Sequence, residues 1–157
     1  MVLVNVLSRM YIQHMMKSLT TSVYTFEKLH DGGFLYVDKT AGIYELIEPA
    51  FAQYFLSRPR RFGKSLLVST LKTIFQGRRD LFERLALADK GYDWQTYPVI
   101  HLDMGTMASV DATELKQNLM RGVRRVAADH GCEVTAEAAY QAFEDLIIDL
   151  AAQDGKV

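Results

Sequence analysis

The stretch Tyr54–Phe75 limits what this chain can fold into more than any other. A short apolar run, Tyr54-Phe-Leu56, leads into Ser57-Arg-Pro-Arg-Arg-Phe-Gly63. Lys64 and Ser65 then open a segment with Leu67, Leu71, Ile74 and Phe75 on one helical face. The apolar run predicts a buried strand, and the 3.6-residue spacing predicts an amphipathic helix stopped by Gly77. Pro59 pushes Arg58 out of helical geometry, so the basic residues between form a loop. Strand, loop and helix in this order suit a phosphate, because the free N–H groups and the positive end of the helix dipole point out of the helix start. Gly63 lets the backbone approach closely, Lys64 supplies charge to terminal phosphates, and the Ser65 hydroxyl is placed to ligate Mg²⁺. Arg60 and Arg61 add guanidinium forks suited to phosphate oxygens. The generic loop has one more glycine, five residues before Gly63, where this chain has Arg58.

The rest of the chain reads as an ordinary globular protein. Its 157 residues are 49% hydrophobic and 24% charged, enough for one domain with a real core. Lys and Arg number 18 against 19 Asp and Glu, so no global basic field draws in nucleic acid or membrane. One cysteine, Cys132, excludes an internal disulfide framework, and the histidines stand apart from any second metal ligand. The apolar start Met1–Leu7 is too short for a signal-peptide core, and no run approaches the ~20 residues of a membrane span. A cytoplasmic protein is expected.

Phe26–Leu29 reads as a helical turn, Asp31-Gly32-Gly33 as a turn and Phe34–Val37 as a short strand. Asp38 or Thr40 can cap a helix with Ile43, Leu46 and Ile47 inside and Pro49 at its end. Val99–Leu102 is a further strand. Asp111 and Glu114 resemble a capping box for a helix with Leu115, Leu119, Val123 and Val126 buried, stopped by Gly131. Thr135 can cap another helix, with Ala139, Ala142, Phe143, Leu146 and Leu150 inside. Asp154-Gly155 is a turn and Lys156-Val157 the start of another strand. Residues 1–22 are Met-rich and without a clear period. The fold class expected is α/β: a P-loop NTPase-like α/β/α sandwich with a mainly parallel sheet, incomplete at the C-terminus.

Tyr36-Val-Asp-Lys-Thr40, Arg58-Pro-Arg-Arg-Phe-Gly-Lys-Ser-Leu66, Phe75 and Tyr97-Pro-Val-Ile100 resemble the predicted AAA-ATPase-like family, from about Tyr24 to Val157. That family also lacks the first glycine of the generic loop. The resemblance divides the chain into an unassigned extension, residues 1–22, and the N-terminal part of an AAA-ATPase-like domain, residues 23–157. It implies ATP and Mg²⁺ as cofactors, with Arg60, Arg61, Phe62, Gly63, Lys64, Ser65 and Leu66 as the nucleotide-binding set and Ser65 as a Mg²⁺ ligand. It also implies that the acidic strand needed for hydrolysis, and the PD-(D/E)XK nuclease-like domain many members carry, lie beyond Val157. On that basis the chain is expected to be an N-terminal fragment that binds ATP without turning it over, and that is open to self-association. Nucleic acid would be met only through the nuclease-like domain.

Asp103 ends the run Val99–Asp103 and is a second, weaker Mg²⁺ candidate, with capping of its own loop as the simpler role. Asp145 and Asp149 share a helical face and read as solvated. His101 faces away from Ile100 and Leu102, and Cys132 reads as a small inert residue. The competing reading is a non-catalytic phosphate- or nucleic-acid-binding module that uses the basic loop 58–64.

Overall fold

The computed structural model describes residues 17–49 and 52–153, which form two compact units, one within Met1–Thr96 and one within Tyr97–Val157. The extension assigned to residues 1–22 falls largely outside the described residues. So do the turn at Asp154-Gly155 and the strand start at Lys156-Val157.

Among the described residues the first unit holds three helices, α1 (Phe26–Asp31), α2 (Thr40–Ile47) and α3 (Lys64–Phe75), and two 3-10 turns, Arg79–Leu81 and Ala86–Asp89. Its core is Phe26, Ile43, Ile74, Leu81, Phe82 and Leu87. Phe82 is the hub, stacked on Phe26 at 4.6 Å between ring centres and tilted against Trp94 at 5.2 Å. α2 begins where expected, but Asp38 does more than cap it. One carboxylate oxygen accepts from the Thr40 N–H at 2.8 Å and the Thr40 hydroxyl at 2.7 Å, and the other accepts from the Ala86 N–H at 2.8 Å. The fully buried Thr40 hydroxyl in turn accepts from the Leu87 N–H at 3.0 Å. The start of α2 is thereby tied to the second 3-10 turn. α3 ends as its sequence predicts: Gly77 is left-handed (φ 69°), and a Cβ there would stand 2.9 Å from the Trp94 carbonyl oxygen.

The second unit pairs α4 (Ala112–Asp129) with α5 (Ala139–Gln153). Asp111 caps α4 by accepting from the Glu114 N–H at 2.7 Å. The return bond of the capping box runs from the Val110 N–H to Glu114 at 2.8 Å, one residue before the cap. Met120, Val123, Val126 and Ala127 of α4 meet Ala142, Leu146 and Leu150 of α5. Leu115 and Phe143, expected inside, are exposed at 36% each, so both buried stripes are narrower than the sequence suggests.

The expected sandwich and parallel sheet are not present. Among the described residues the β-structure amounts to one isolated parallel bridge, Ser18 with Phe34. Apart from that bridge at Phe34, Phe34–Val37, Tyr54–Leu56 and Val99–Leu102 pair with no strand among the described residues. Apolar and β-branched runs report that a segment suits a half-buried surface; they do not report that a partner strand lies alongside. Around Val99–Leu102 the alternation survives without a ladder: Ile100 and Leu102 pack on the α4–α5 core while His101 is exposed. In Tyr54–Leu56 no side chain is buried, and Phe55 is 94% exposed.

Candidate functional site

The basic loop sits at the start of α3, the 12-residue helix predicted for it. Gly63 precedes the helix in the left-handed region (φ 75°), with nothing within 4 Å of where a Cβ would stand. Arg61 is also left-handed (φ 67°), an uncommon conformation for a residue with a side chain. No side chain caps the helix. The first helical bond is made by the Leu67 N–H to the Gly63 carbonyl at 2.9 Å, which leaves the N–H groups of Lys64, Ser65 and Leu66 without an acceptor among the described residues. Unsatisfied N–H groups at an uncapped helix start form a site for an anion.

Lys64 is folded back on its own loop. Its ammonium donates to the carbonyls of Arg58 and of Pro59, the latter at 2.8 Å. An ammonium has three donors, so one is left for another acceptor. Arg58, Arg60 and Arg61 are exposed and form no ion pair with a described carboxylate. Ser65 is exposed, and its hydroxyl has no hydrogen-bond partner among the described residues, which leaves its oxygen lone pairs available to a cation. Phe62 is 63% exposed, and Leu66 is half-buried and packs on the Phe26–Phe82 core.

The loop borders a cavity of about 830 Å³. Arg60, Arg61, Gly63, Lys64, Ser65 and Leu66 line one part of it, and Thr20–Tyr24 line the rest. Six of the seven sequence-predicted nucleotide-binding residues thus share one cavity, with Phe62 outside its lining. Among the described residues no carboxylate lines it. Thr20–Tyr24 carry no motif, and nothing in their sequence signals this placement. Asp103, the second Mg²⁺ candidate, lies in the other unit, where it caps the 3-10 turn Met104–Thr106 by accepting from the Gly105 N–H at 2.9 Å. Among the described residues no three His, Cys, Asp or Glu side chains cluster as a metal site. No helix among them is long and apolar enough to cross a membrane.

A sequence profile of predicted AAA-ATPases matches residues 20–157, the loop and its cavity included. The chain belongs to the predicted AAA-ATPase family. Membership in a predicted ATPase family implies nucleotide use. This family member is also similar to an uncharacterized protein of the vnfD 5′ region of Azotobacter chroococcum mcd 1, with 42% identity over 102 residues. The match takes in 64% of the chain and 19% of that relative's length. No solved structure matches this AAA-ATPase family member.

Proposed function

We propose that the chain binds ATP with Mg²⁺ through Arg60–Leu66, as the phosphate end of an AAA-ATPase site. The observation that carries this reading is the uncapped start of α3. Three N–H groups without acceptors follow a left-handed glycine, next to a lysine with one donor to spare and an unengaged serine hydroxyl. The N–H groups of Lys64, Ser65 and Leu66 hold phosphate oxygens, Arg60 and Arg61 add charge from the cavity rim, and Ser65 supplies an oxygen ligand to Mg²⁺. When bound, Mg²⁺ neutralises charge on the terminal phosphates.

Hydrolysis is not part of the activity proposed for residues 1–157. Phosphoryl transfer to water needs a group that orients the attacking water, and among the described residues no carboxylate lines the cavity to serve as one. Binding without turnover is therefore the activity proposed for residues 1–157, in the cytoplasm. Asp103, held in its own cap, is left outside the proposed site.

Calorimetry of ATP–Mg²⁺ on the wild-type chain and on Lys64→Ala tests the proposal. Loss of one charge-assisted contact to phosphate predicts at least tenfold weaker binding, about 1.4 kcal/mol or more. Equal affinity for the two proteins would remove the loop as the site.

A further inference from the structure

The cavity is larger than the phosphate end of a nucleotide needs. At about 830 Å³ it falls in the range of pockets that enclose a whole small ligand, and the basic loop lines only one part of it. The opposite lining, Thr20–Tyr24, has no helix or ladder of its own. Its only recorded internal bond runs from the Ser22 N–H to the Thr20 hydroxyl at 3.2 Å. The N–H groups of Thr21, Val23 and Tyr24 have no partner among the described residues, and neither do the carbonyls of this segment. Tyr24 lines the cavity and is 60% exposed as a residue. Unpaired backbone donors and acceptors beside an available aromatic face suit a flat heterocycle with a polar edge.

Both ends of the segment are tied down. On one side the Ser18 carbonyl accepts from the Leu35 N–H at 2.9 Å. On the other, the Phe26 ring is buried in the core and its N–H donates to the Ser69 hydroxyl at 2.9 Å. Ser69 and Thr73 both hold Glu27, at 3.3 Å and 3.0 Å. Ser69 and Thr73 belong to α3, the helix whose first turn carries the phosphate-facing N–H groups. One helix therefore fixes the basic loop at its start and the end of Thr20–Tyr24 along its side.

We infer that Thr20–Tyr24 is the nucleoside wall of the site, with the base of the bound nucleotide stacked on Tyr24 and its polar edge bonded to the unpaired backbone beside Val23. This rests on the loop binding the phosphates. Four full-chain proteins separate the two statements: wild type, Tyr24→Ala, Tyr24→Phe and Lys64→Ala. Each is titrated by calorimetry with ATP–Mg²⁺ and with inorganic tripolyphosphate–Mg²⁺. Tyr24→Ala is expected to weaken ATP about tenfold and to leave tripolyphosphate unchanged, while Tyr24→Phe keeps the wild-type affinity for ATP. Lys64→Ala is expected to weaken both ligands. If Tyr24→Ala leaves ATP unchanged, weakens both ligands alike, or is matched by Tyr24→Phe, the nucleoside wall is refuted while the phosphate loop stands. If Lys64→Ala changes neither ligand, the loop and the wall fall together.

Discussion

Replacing Thr40 with valine should destabilise the first unit by about 2–3 kcal/mol, although the two side chains have nearly the same shape. Thr40 is fully buried, and its hydroxyl donates to Asp38 at 2.7 Å while accepting from the Leu87 N–H at 3.0 Å. The bond to a carboxylate is worth about 1.5 kcal/mol, the low end for charged partners, because Asp38 is exposed and regains water. The stranded Leu87 N–H adds roughly 2 kcal/mol for a buried donor without a partner. Burying a methyl in place of the hydroxyl offsets up to about 0.8 kcal/mol. The lone tryptophan, Trp94, packs against Phe82 in the same core, so its fluorescence in urea follows this unit. With a urea slope of about 1–3 kcal/mol/M, the midpoint should fall by about 0.7–3 M at unchanged slope. Thr40→Ser keeps the hydroxyl and should lose less. A midpoint within about 0.3 M of wild type for Thr40→Val, or a larger loss for Thr40→Ser, would refute the clamp as a source of stability.

The same clamp carries a pH dependence. Burial pushes the Asp38 carboxyl upward, but hydrogen bonds from the Thr40 N–H, the Ala86 N–H and the Thr40 hydroxyl outweigh it and hold the group below the ordinary carboxylate range. A folded pKa below the unfolded value of about 3.9 means that the contribution is fully present above about pH 4 and is lost as pH falls through the folded pKa. Urea midpoints of wild type and Asp38→Asn should therefore differ at pH 7, with the gap starting to close near pH 4 and closing as pH falls on through the folded pKa; a gap that does not change with pH would contradict the assignment. Duplex DNA should bind weakly at physiological salt. Arg58, Arg60, Arg61 and Lys64 allow a log–log salt slope of about −4 at most, and a slope implying six or more phosphates would favour the nucleic-acid reading instead.

What could be read from the sequence was what one or two turns of chain decide. Gly63, the helix Lys64–Phe75 and its stop at Gly77 follow from local backbone preferences, and so does the Asp111–Glu114 cap. The sheet was misread because pairing is non-local: Tyr54–Leu56 has a strand's composition and no strand beside it. The role of Asp38 was half legible. Its bond to the Thr40 N–H is a two-residue matter, whereas its bond to the Ala86 N–H crosses 48 residues and leaves no trace in spacing. Thr20–Tyr24 were missed for the same reason, since the Phe26–Ser69 bond that fixes them spans 43 residues.

The strain in the basic loop ties these pieces together. A left-handed residue with a side chain costs about 1 kcal/mol, and Arg61 persists in that state two residues before a glycine that adopts it freely. The surroundings must supply the difference. The bonds available are those from the Lys64 ammonium to the Arg58 and Pro59 carbonyls, which close the loop from the first residue of α3 back across its bend. Lys64 is thus both a charge at the helix start and the brace of the loop. A phosphate that drew its ammonium away would have to brace the loop in turn, through Arg60, Arg61 and the three unpaired N–H groups. The lysine holds the loop by donating to its carbonyls, whereas a bound phosphate would hold it by accepting from its N–H groups and guanidinium forks. The brace uses the carbonyl of Arg58, not its side chain, so an arginine can stand at the generic loop's first glycine position without undoing the bend.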